Sequence, residues 1–375
     1  MKLQSKILSL IIAIVVLGSI PEIRAQDPNY SQFYSNPLYY NPAYTGISQG
    51  FNARFDYRKQ WPNLRNDFKT YNFNTDISIR EFPGSGGVGL IFNKDKSGSG
   101  NMETVNAGFL SSVRIRLAQN VLTQVGVMAS YYQKYIDWDR LVFTDELDPR
   151  YGQIYQSAFI PSANDRVSYP DFSAGALVRF VQTTINNTNI IGTMGLAVHH
   201  LFEPNESFFE QSSVLPRKIV VHADMVIERE GYSRQIGRSQ GGNDYSSQKF
   251  NPGIYFVQQG QFQTFGMGIN LYYKTLYGGI WYRNTEIGFS NTEASVILML
   301  GINAQFNESS RLKILYSYDL GLNDYLARSG GAHEISLLIG LDDFSLFSPN
   351  KRYYGRGVKS SSGQTVYQPL ECSPF

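Results

Sequence analysis

Four histidines, one cysteine and two glycine-rich stretches are the residues of this 375-residue chain that first invite a chemical reading. His199-His200 has the residue type of a metal site. Adjacent residues on a strand point to opposite faces, however, so the pair is not expected to close on one ion. The same objection meets His333-Glu334. His222 and Asp224 share a face and can couple, but two ligands without a third make a poor site, and ordinary hydrogen bonding is the plainer reading. Gly84-Ser85-Gly86-Gly87 and Gly98-Ser99-Gly100 lack the Lys-Ser/Thr ending of a phosphate loop and no helical pattern follows, so they read as turns. No nucleophile, base and acid fall at the spacing of a triad. The expectation is therefore no catalytic residue, no metal and no cofactor. Cys372 has no partner for an internal disulfide. It follows Lys351, Arg352, Arg356 and Lys359 in a polar tail, and reads as a free thiol on a periplasmic tail, or else as part of a docking tail for a periplasmic ring or of a mixed disulfide.

These side chains sit on long two-faced strands. Val105, Ala107, Phe109, Val113, Ile115 and Leu117 alternate with Asn106, Gly108, Ser112, Arg114 and Arg116, and only Leu110 and Ser111 break the rule. Strands of soluble proteins usually run about five or six residues; this pattern is twice as long and it recurs. Fourteen such segments can be read, an even number as a bacterial outer-membrane barrel requires. The first sets Phe51, Ala53, Phe55 and Tyr57 against Asn52, Arg54, Asp56 and Arg58. The sixth sets Phe172, Ala174, Ala176, Val178 and Phe180 against Asp171, Ser173 and Arg179. The third, around Val88 to Phe92, reads as short, and the ninth, near Ile254 to Val257, has the least pattern. The fold class expected is all-β: a transmembrane antiparallel β-barrel over residues 49–342.

The ends fit export. Lys2 and Lys6 precede an apolar run from Ile7 to Leu17, Pro21 breaks it, and Ala25 marks a cut before Gln26, so residues 1–25 read as a signal peptide. The run is too short for a spanning helix. Of 33 basic and 31 acidic residues, Lys2, Lys6, Arg24 and Glu22 leave with it, so the mature chain is neutral and nucleic acid is not an expected partner. Twenty-six tyrosines and 24 phenylalanines suit aromatic girdles, and a mean hydropathy of −0.26 suits a wall of which every second residue meets lipid. With both barrel ends in the periplasm, the short connections Gln119–Asn120 and Lys274–Thr275 fall there. The long Asp137 to Pro170 connection falls outside the cell, and Gly231 to Gln248 is an oversized periplasmic exception. Inward faces hold Arg54, Arg58, Arg80, Arg114, Arg116, Arg179, Arg283 and Lys313 against Asp56, Asp76, Asp171, Asp224, Glu228, Asp319, Glu334 and Asp342. This balance predicts a lumen crossed by ion pairs rather than a one-sign selective pore.

The most specific motif follows the cut: QDPNYSQFYSNPLYYNPAYTG, Gln26 to Gly46. With it go Pro170 to Gly175 (PDFSAG), Gly195 to Phe209 (GLAVHHLFEPNESFF), Gly279 to Arg283 (GIWYR), Tyr316 to Asp319 (YSYD), Gly331 to Ser336 (GAHEIS) and the closing Cys372 to Phe375. On these residues the mature chain resembles the PorP/SprF family of outer-membrane proteins from the type IX secretion and gliding motility machinery of Bacteroidota. The tail departs slightly, with Cys372, Ser373, Pro374, Phe375 where members end in Cys-Pro, one residue and Phe. The resemblance implies a non-enzymatic component in the outer membrane that helps export or surface anchoring of a partner, typically a large cell-surface adhesin with a C-terminal sorting domain. Other type IX components are the further partners it implies.

Asn36-Pro37 and Asn41-Pro42 force extended or turning backbone, since a residue before proline avoids the helical region. With Tyr40 and Tyr44 they mark residues 26–48 as a stiff aromatic plug or gate, or as a periplasmic segment that merely lids the barrel. Residues 343–375 read as a periplasmic tail. Tyr151, Tyr155, Phe159, Phe202, Phe208 and Phe209 stand in the long outer connections. They are the expected partner-binding residues, with packing against each other over the barrel mouth as the alternative. The rival function is an outer-membrane transport channel, a porin or a carrier of apolar solutes resembling the FadL group.

Overall fold

Fourteen strands pair in sequence order, each antiparallel to the next, into one closed barrel. This computed structural model describes residues 27–346 except 65–67, 80–83, 99–101, 139–140, 159–164, 184–187, 210–211, 230–247, 286–293, 308–309, 343 and 345, and beyond them 358–359 and 365–366. The segment expected as a signal peptide, nearly all of the Gly231 to Gln248 connection, Phe159, and Cys372 with most of the tail lie outside the described residues.

The barrel strands are β1 (Phe51–Gln60), β2 (Phe68–Ser78), β3 (Ser85–Ser97), β4 (Met102–Ala118), β5 (Val121–Ile136), β6 (Arg166–Thr183) and β7 (Thr188–His199). They continue as β8 (Lys218–Arg229), β9 (Gln248–Gln259), β10 (Phe262–Tyr273), β11 (Leu276–Asn284), β12 (Ala294–Asn307), β13 (Ser310–Gly321) and β14 (Ala332–Leu341). The ring closes where β1 pairs with β14, from Phe51 opposite Leu341 to Gln60 opposite Ala332. Closure leaves no sheet edge, which is what permits a β-structure to cross lipid. Among the described residues no helix is long and apolar enough to do so.

Each strand expected from the alternation is present, and three differ in extent. β3 is thirteen residues, not short. β6 begins at Arg166, so Pro170 lies inside a strand, opposite Tyr131, rather than in the loop before it. β9 is a full twelve residues. Its alternation is hard to read because Pro252 and Gly253 interrupt it and because two inward-facing residues, Tyr255 and Val257, are themselves apolar.

Both faces follow the pleat. Phe109, Val113, Ile115 and Leu117 of β4 are exposed on the outer wall, as are Val125, Val127, Leu196, Val221 and Leu300 elsewhere. Of the two residues that break the β4 rule, Leu110 is explained by what lies inside, while Ser111 stands on the outer face. Leu110 faces inward and is completely buried. It joins Ile91, Met128, Leu177, Ala197, Val220, Ile297 and Leu315, one apolar residue from each of several strands, in a belt around the lumen. The same cluster contains Tyr30, Phe33, Tyr34, Leu38, Tyr39, Tyr40, Ala43, Tyr44 and Ile47. The hydrophobic core of this protein is thus inside the barrel, formed by the wall and the chain's own N-terminal segment.

An N-terminal segment bonded to the lumen wall as the candidate functional site

Residues 27–49 are short turns joined end to end. Phe33–Ser35 is one 3₁₀ turn, Pro37–Tyr40 one α-helical turn and Pro42–Tyr44 another 3₁₀ turn. Asn36 and Asn41 keep non-helical backbone in front of their prolines, and each proline then opens a turn, as its fixed φ favours. Asn36, Pro37, Tyr40, Asn41, Pro42 and Tyr44, the residues expected to form a plug or gate, are all buried against the barrel.

The segment runs the length of the lumen. Outer-membrane barrels have short periplasmic turns and longer outer loops, so the end with Gln119–Asn120 and Lys274–Thr275 is periplasmic. Near it, Ser112 Oγ donates to the Thr45 carbonyl (2.7 Å) and the Gly46 amide donates to Asp76 Oδ2 (2.8 Å). Arg54 pairs with the same Asp76 at 2.7 Å. At mid-depth, Asn41 Nδ2 donates to His222 Nε2 (3.2 Å) and to the carbonyl of Ala176 (3.3 Å). The Tyr34 hydroxyl reaches the carbonyls of Ala223 and Ile254, each at 3.0 Å. Two glycines make room for the backbone here: a Cβ at Gly126 would overlap the Pro42 carbonyl, and one at Gly175 the Asn41 side chain. Towards the outer end, the amides of Ser31 and Gln32 donate to Glu334 (2.7 and 3.2 Å), and Ser31 Oγ donates to Asp319 (2.8 Å). Asp319 also pairs with Arg283 at 2.7 Å and Arg58 at 3.3 Å, and Arg58 reaches Glu334 at 3.5 Å. Inward-facing ion pairs are present, but these join strands adjacent or two apart along the wall instead of crossing the lumen, and several of their carboxylates hold this segment.

Its tip is held by charge. Asp27 Oδ2 lies 3.0 Å from His200 Nε2 and 3.3 Å from Lys218 Nζ, and Lys218 also sits 4.3 Å over the Tyr39 ring. The two adjacent histidines do not diverge as strand neighbours should. β7 ends at His199, and His200 adopts φ 56°, which turns its ring back inside. His199 Nε2 then meets the Tyr40 carbonyl (3.0 Å), while His200 Nδ1 lies 3.1 Å from Asp171 Oδ2. His222 bonds Asn41 and Tyr44 rather than its strand neighbour Asp224. Among the described residues no three His, Cys, Asp or Glu gather closely enough to hold a metal ion.

Burial pushes the His200 imidazole down, but Asp27 and Asp171 more than reverse this and hold it up at about 9. Its proton therefore ties the tip fully below about 6.5, the unfolded value, and the tie is lost as pH rises through 9. Asp27 behaves oppositely. Burial pushes its carboxyl up, and His200 and Lys218 carry it well below the usual range. Its hold is present above about 4 and lost only as pH falls through that depressed value. A fluorophore on Pro28→Cys in a Cys372→Ser background should thus report a tip that loosens between pH 7 and 10. His200→Gln should remove that alkaline limb; an unchanged limb would show that another group controls the tip.

Above the tip is an open cavity of about 460 Å³, lined by Asp27, Arg58, Trp61, Asp95, Phe262 and Arg283 among others. Of the outer connections, that between β1 and β2 contributes Trp61 to its lining and that between β13 and β14 contributes Leu326 and Gly331. Tyr151 (68% exposed), Tyr155 and Phe202 (76%) present their rings to solvent. Phe208 and Phe209 gather on Trp138, at 6.3 and 5.9 Å between ring centres, and Phe202 leans edge-on against Phe172 of the outer wall (5.6 Å). The structure thus brings together two of the expected partner-binding residues and leaves Tyr151, Tyr155 and Phe202 apart. Sequence reading missed Trp138, and it missed Lys218 and Lys134, which ion-pair with Asp27 and Glu206. Both lysines occupy inward positions of strands whose parity was already legible.

The model of the type IX secretion system membrane protein PorP/SprF family matches residues 23–339. The chain belongs to that family. No curated protein matches it. Among solved structures, this PorP/SprF protein is similar to the β domain of the Bordetella autotransporter BrkA, with 11% identity over 79% of this chain and 99% of that one, TM-score 0.39. It is also similar to a FadL homologue from Pseudomonas aeruginosa (11% identity, 84% and 95% covered, TM-score 0.38) and to a variant of the monoaromatic hydrocarbon channel TodX (8%, 81% and 92%, TM-score 0.43). As a PorP/SprF barrel it is an outer-membrane protein and a membrane component of type IX secretion. The motifs that carried the family resemblance also converge in space: Asp171, His199, His200, Arg283, Asp319 and Glu334 all bond or pair around the N-terminal segment.

Proposed function

We propose that this PorP/SprF protein is a non-enzymatic anchoring factor that receives one large surface adhesin at its outer loops, by the adhesin's sorting domain. The observation that carries the reading is a pairing of features. Solvent-exposed aromatics at Tyr151, Tyr155, Phe202 and Phe209 crown a barrel whose lumen is occupied by its own residues 27–49. Exposed aromatic rings on polar loops are effective interface anchors, because they bury large area at low entropic cost. A lumen closed by the protein itself leaves that outer surface as the part able to meet a partner. In this reading the N-terminal segment is a plug, and the solute-channel alternative requires it to leave.

Deleting the gene should strip one adhesin from the cell surface while other type IX cargo is exported normally. Surface proteomics of the deletion strain, complemented with Tyr151→Ala/Tyr155→Ala/Phe202→Ala, reads this directly. The loop variant should insert normally yet fail to restore the adhesin. An unchanged surface adhesin together with altered uptake of a small solute would hand the function to the channel reading.

A further inference from the structure

Around the outer cavity the charges cancel group by group, and one is left over. Arg58 and Arg283 meet Asp319 and Glu334, and Lys134 meets Glu206. His200 and Lys218 meet Asp27, with Asp171 on the other side of His200. Asp95 of β3 forms no salt bridge among the described residues. It accepts only from two hydroxyls, Thr70 Oγ1 at 2.6 Å and Ser97 Oγ at 3.4 Å. Its place in the sheet explains why. One inward-facing row runs across the strands from Arg58 to Thr70, Asp95, Thr104 and Lys134, each directly opposite the next. The cations of this row are therefore two strands away on either side, and both are already engaged. A half-buried carboxylate without a counter-ion has given up hydration and gained no pair in return. A cation supplied from outside would complete it.

The surroundings indicate which cation. Asp95 lines both the 460 Å³ cavity and a second one of about 70 Å³. Aromatic rings stand beside it. Phe68 shares the inward face of β2 with Thr70, one step nearer the outer rim, and Trp61 meets it edge-on with ring centres 5.2 Å apart. Trp61 leaves β1 with φ 56°, rare for so bulky a residue, and its amide donates to the Gly331 carbonyl at 2.7 Å. Phe262 bounds the cavity from β10 and is 42% exposed although it shares the inward face with Thr264. A carboxylate beneath aromatic rings suits a cation with an apolar stem, the head ion-paired and the rest against the rings. An anion would meet Asp95 as a like charge, and a wholly apolar solute would leave it unpaired. We infer that the outer mouth of the lumen is a binding site for an alkyl guanidinium or alkyl ammonium group, its head on Asp95 and its stem along Phe68 and Trp61. Such a group arrives either as a free small cation or as the arginine or lysine side chain of a polypeptide. The site is distinct from Tyr151, Tyr155 and Phe202 and does not depend on what the outer loops carry.

The test uses the purified full-length protein in detergent and ligand-observed NMR titration. The probes are butylguanidinium, butylammonium, the neutral isostere butylurea and end-blocked Gly-Arg-Gly. Both butyl cations should bind about tenfold or more tightly than butylurea, the factor that a hydrogen bond to a charged group typically supplies. Asp95→Asn keeps an oxygen that can accept from Thr70 and should bring the cations down to the level of butylurea, whereas Asp95→Glu should keep most of the difference. Phe68→Leu should weaken the cations about two- to fivefold. Butylurea binding wild type as tightly as butylguanidinium would overturn the proposal, and that comparison needs no variant to fold. So would an Asp95→Asn protein that retains the preference for cations. Gly-Arg-Gly binding more tightly than butylguanidinium would support the site and name a polypeptide side chain as its occupant; equal binding would support it with a free cation. These titrations contain no adhesin, so their failure leaves the anchoring function untouched, and the failure of that function leaves them unchanged.

Discussion

Deletion of residues 27–46 is expected to give a conducting barrel that unfolds more easily, where the full-length protein is expected to be electrically silent. Two effects act together. The first is steric: turns of chain that bond to β1, β4, β7, β8, β9, β13 and β14 disappear from the lumen. The second is energetic. Leu110, Leu177, Val220, Ile297 and Leu315 lose the aromatic side chains they are buried against, and loss of a single buried aromatic typically costs about 3–5 kcal/mol. Water would then meet an apolar belt in a ring still held by backbone pairing. Single-channel recording in planar bilayers, with heat-modifiable gel mobility to confirm assembly, reads both effects. An assembled deletion variant that stays silent would end the plug reading. For a milder change, Gly126→Val pushes on the backbone of Pro42 and Ala43 and should give intermittent conductance.

Replacing Asp319 by alanine should be the most damaging single change in the lumen. Its carboxylate accepts from Ser31 and pairs with both Arg58 and Arg283, all in buried or half-buried surroundings. Removing one member of a buried ion network leaves the opposite charge uncompensated, at about 3–5 kcal/mol. Arg58 keeps Glu334 at 3.5 Å, but among the described residues Arg283 forms no salt bridge other than that with Asp319. The urea midpoint for loss of the folded gel form should fall accordingly. A change no larger than the about 0.5 kcal/mol of an ordinary surface substitution would mean that this network does not hold the segment.

The barrel itself was legible because its rule is local. A strand facing lipid declares itself in every second residue, and from Phe51 to Leu341 that rule found each strand even where extents were off. The lumen was legible only as a set of exceptions. Leu110, Val220 and Leu315 interrupt inward faces that should be polar, and each is a point where the wall touches the N-terminal segment's cluster. Read individually they look like slips in the pattern; their common meaning depends on contacts between residues hundreds of positions apart. His200 was misjudged for a narrower reason. The parity argument holds only while the strand lasts, and φ 56° at that residue ends it. Nothing in the letters His-His announces that turn.

The seam between Phe51 and Leu341 is what completes the lumen. Until β14 arrives the sheet is an open trough, and the lumen has no fourth side. The deeper half of the N-terminal segment has its partners on β2, β4 and β5: Asp76, Ser112 and Gln124 for Gly46 and Thr45. Its upper half bonds to the other end of the chain, Ser31 and Gln32 to Asp319 and Glu334 on the last two strands. The segment therefore ties the first strands of the ring to the last, and its full set of bonds exists only in the closed barrel. Assembly that depends on contacts of such sequence separation is slow, and a half-built trough would hold its aromatic lining open to the periplasm until the seam is made.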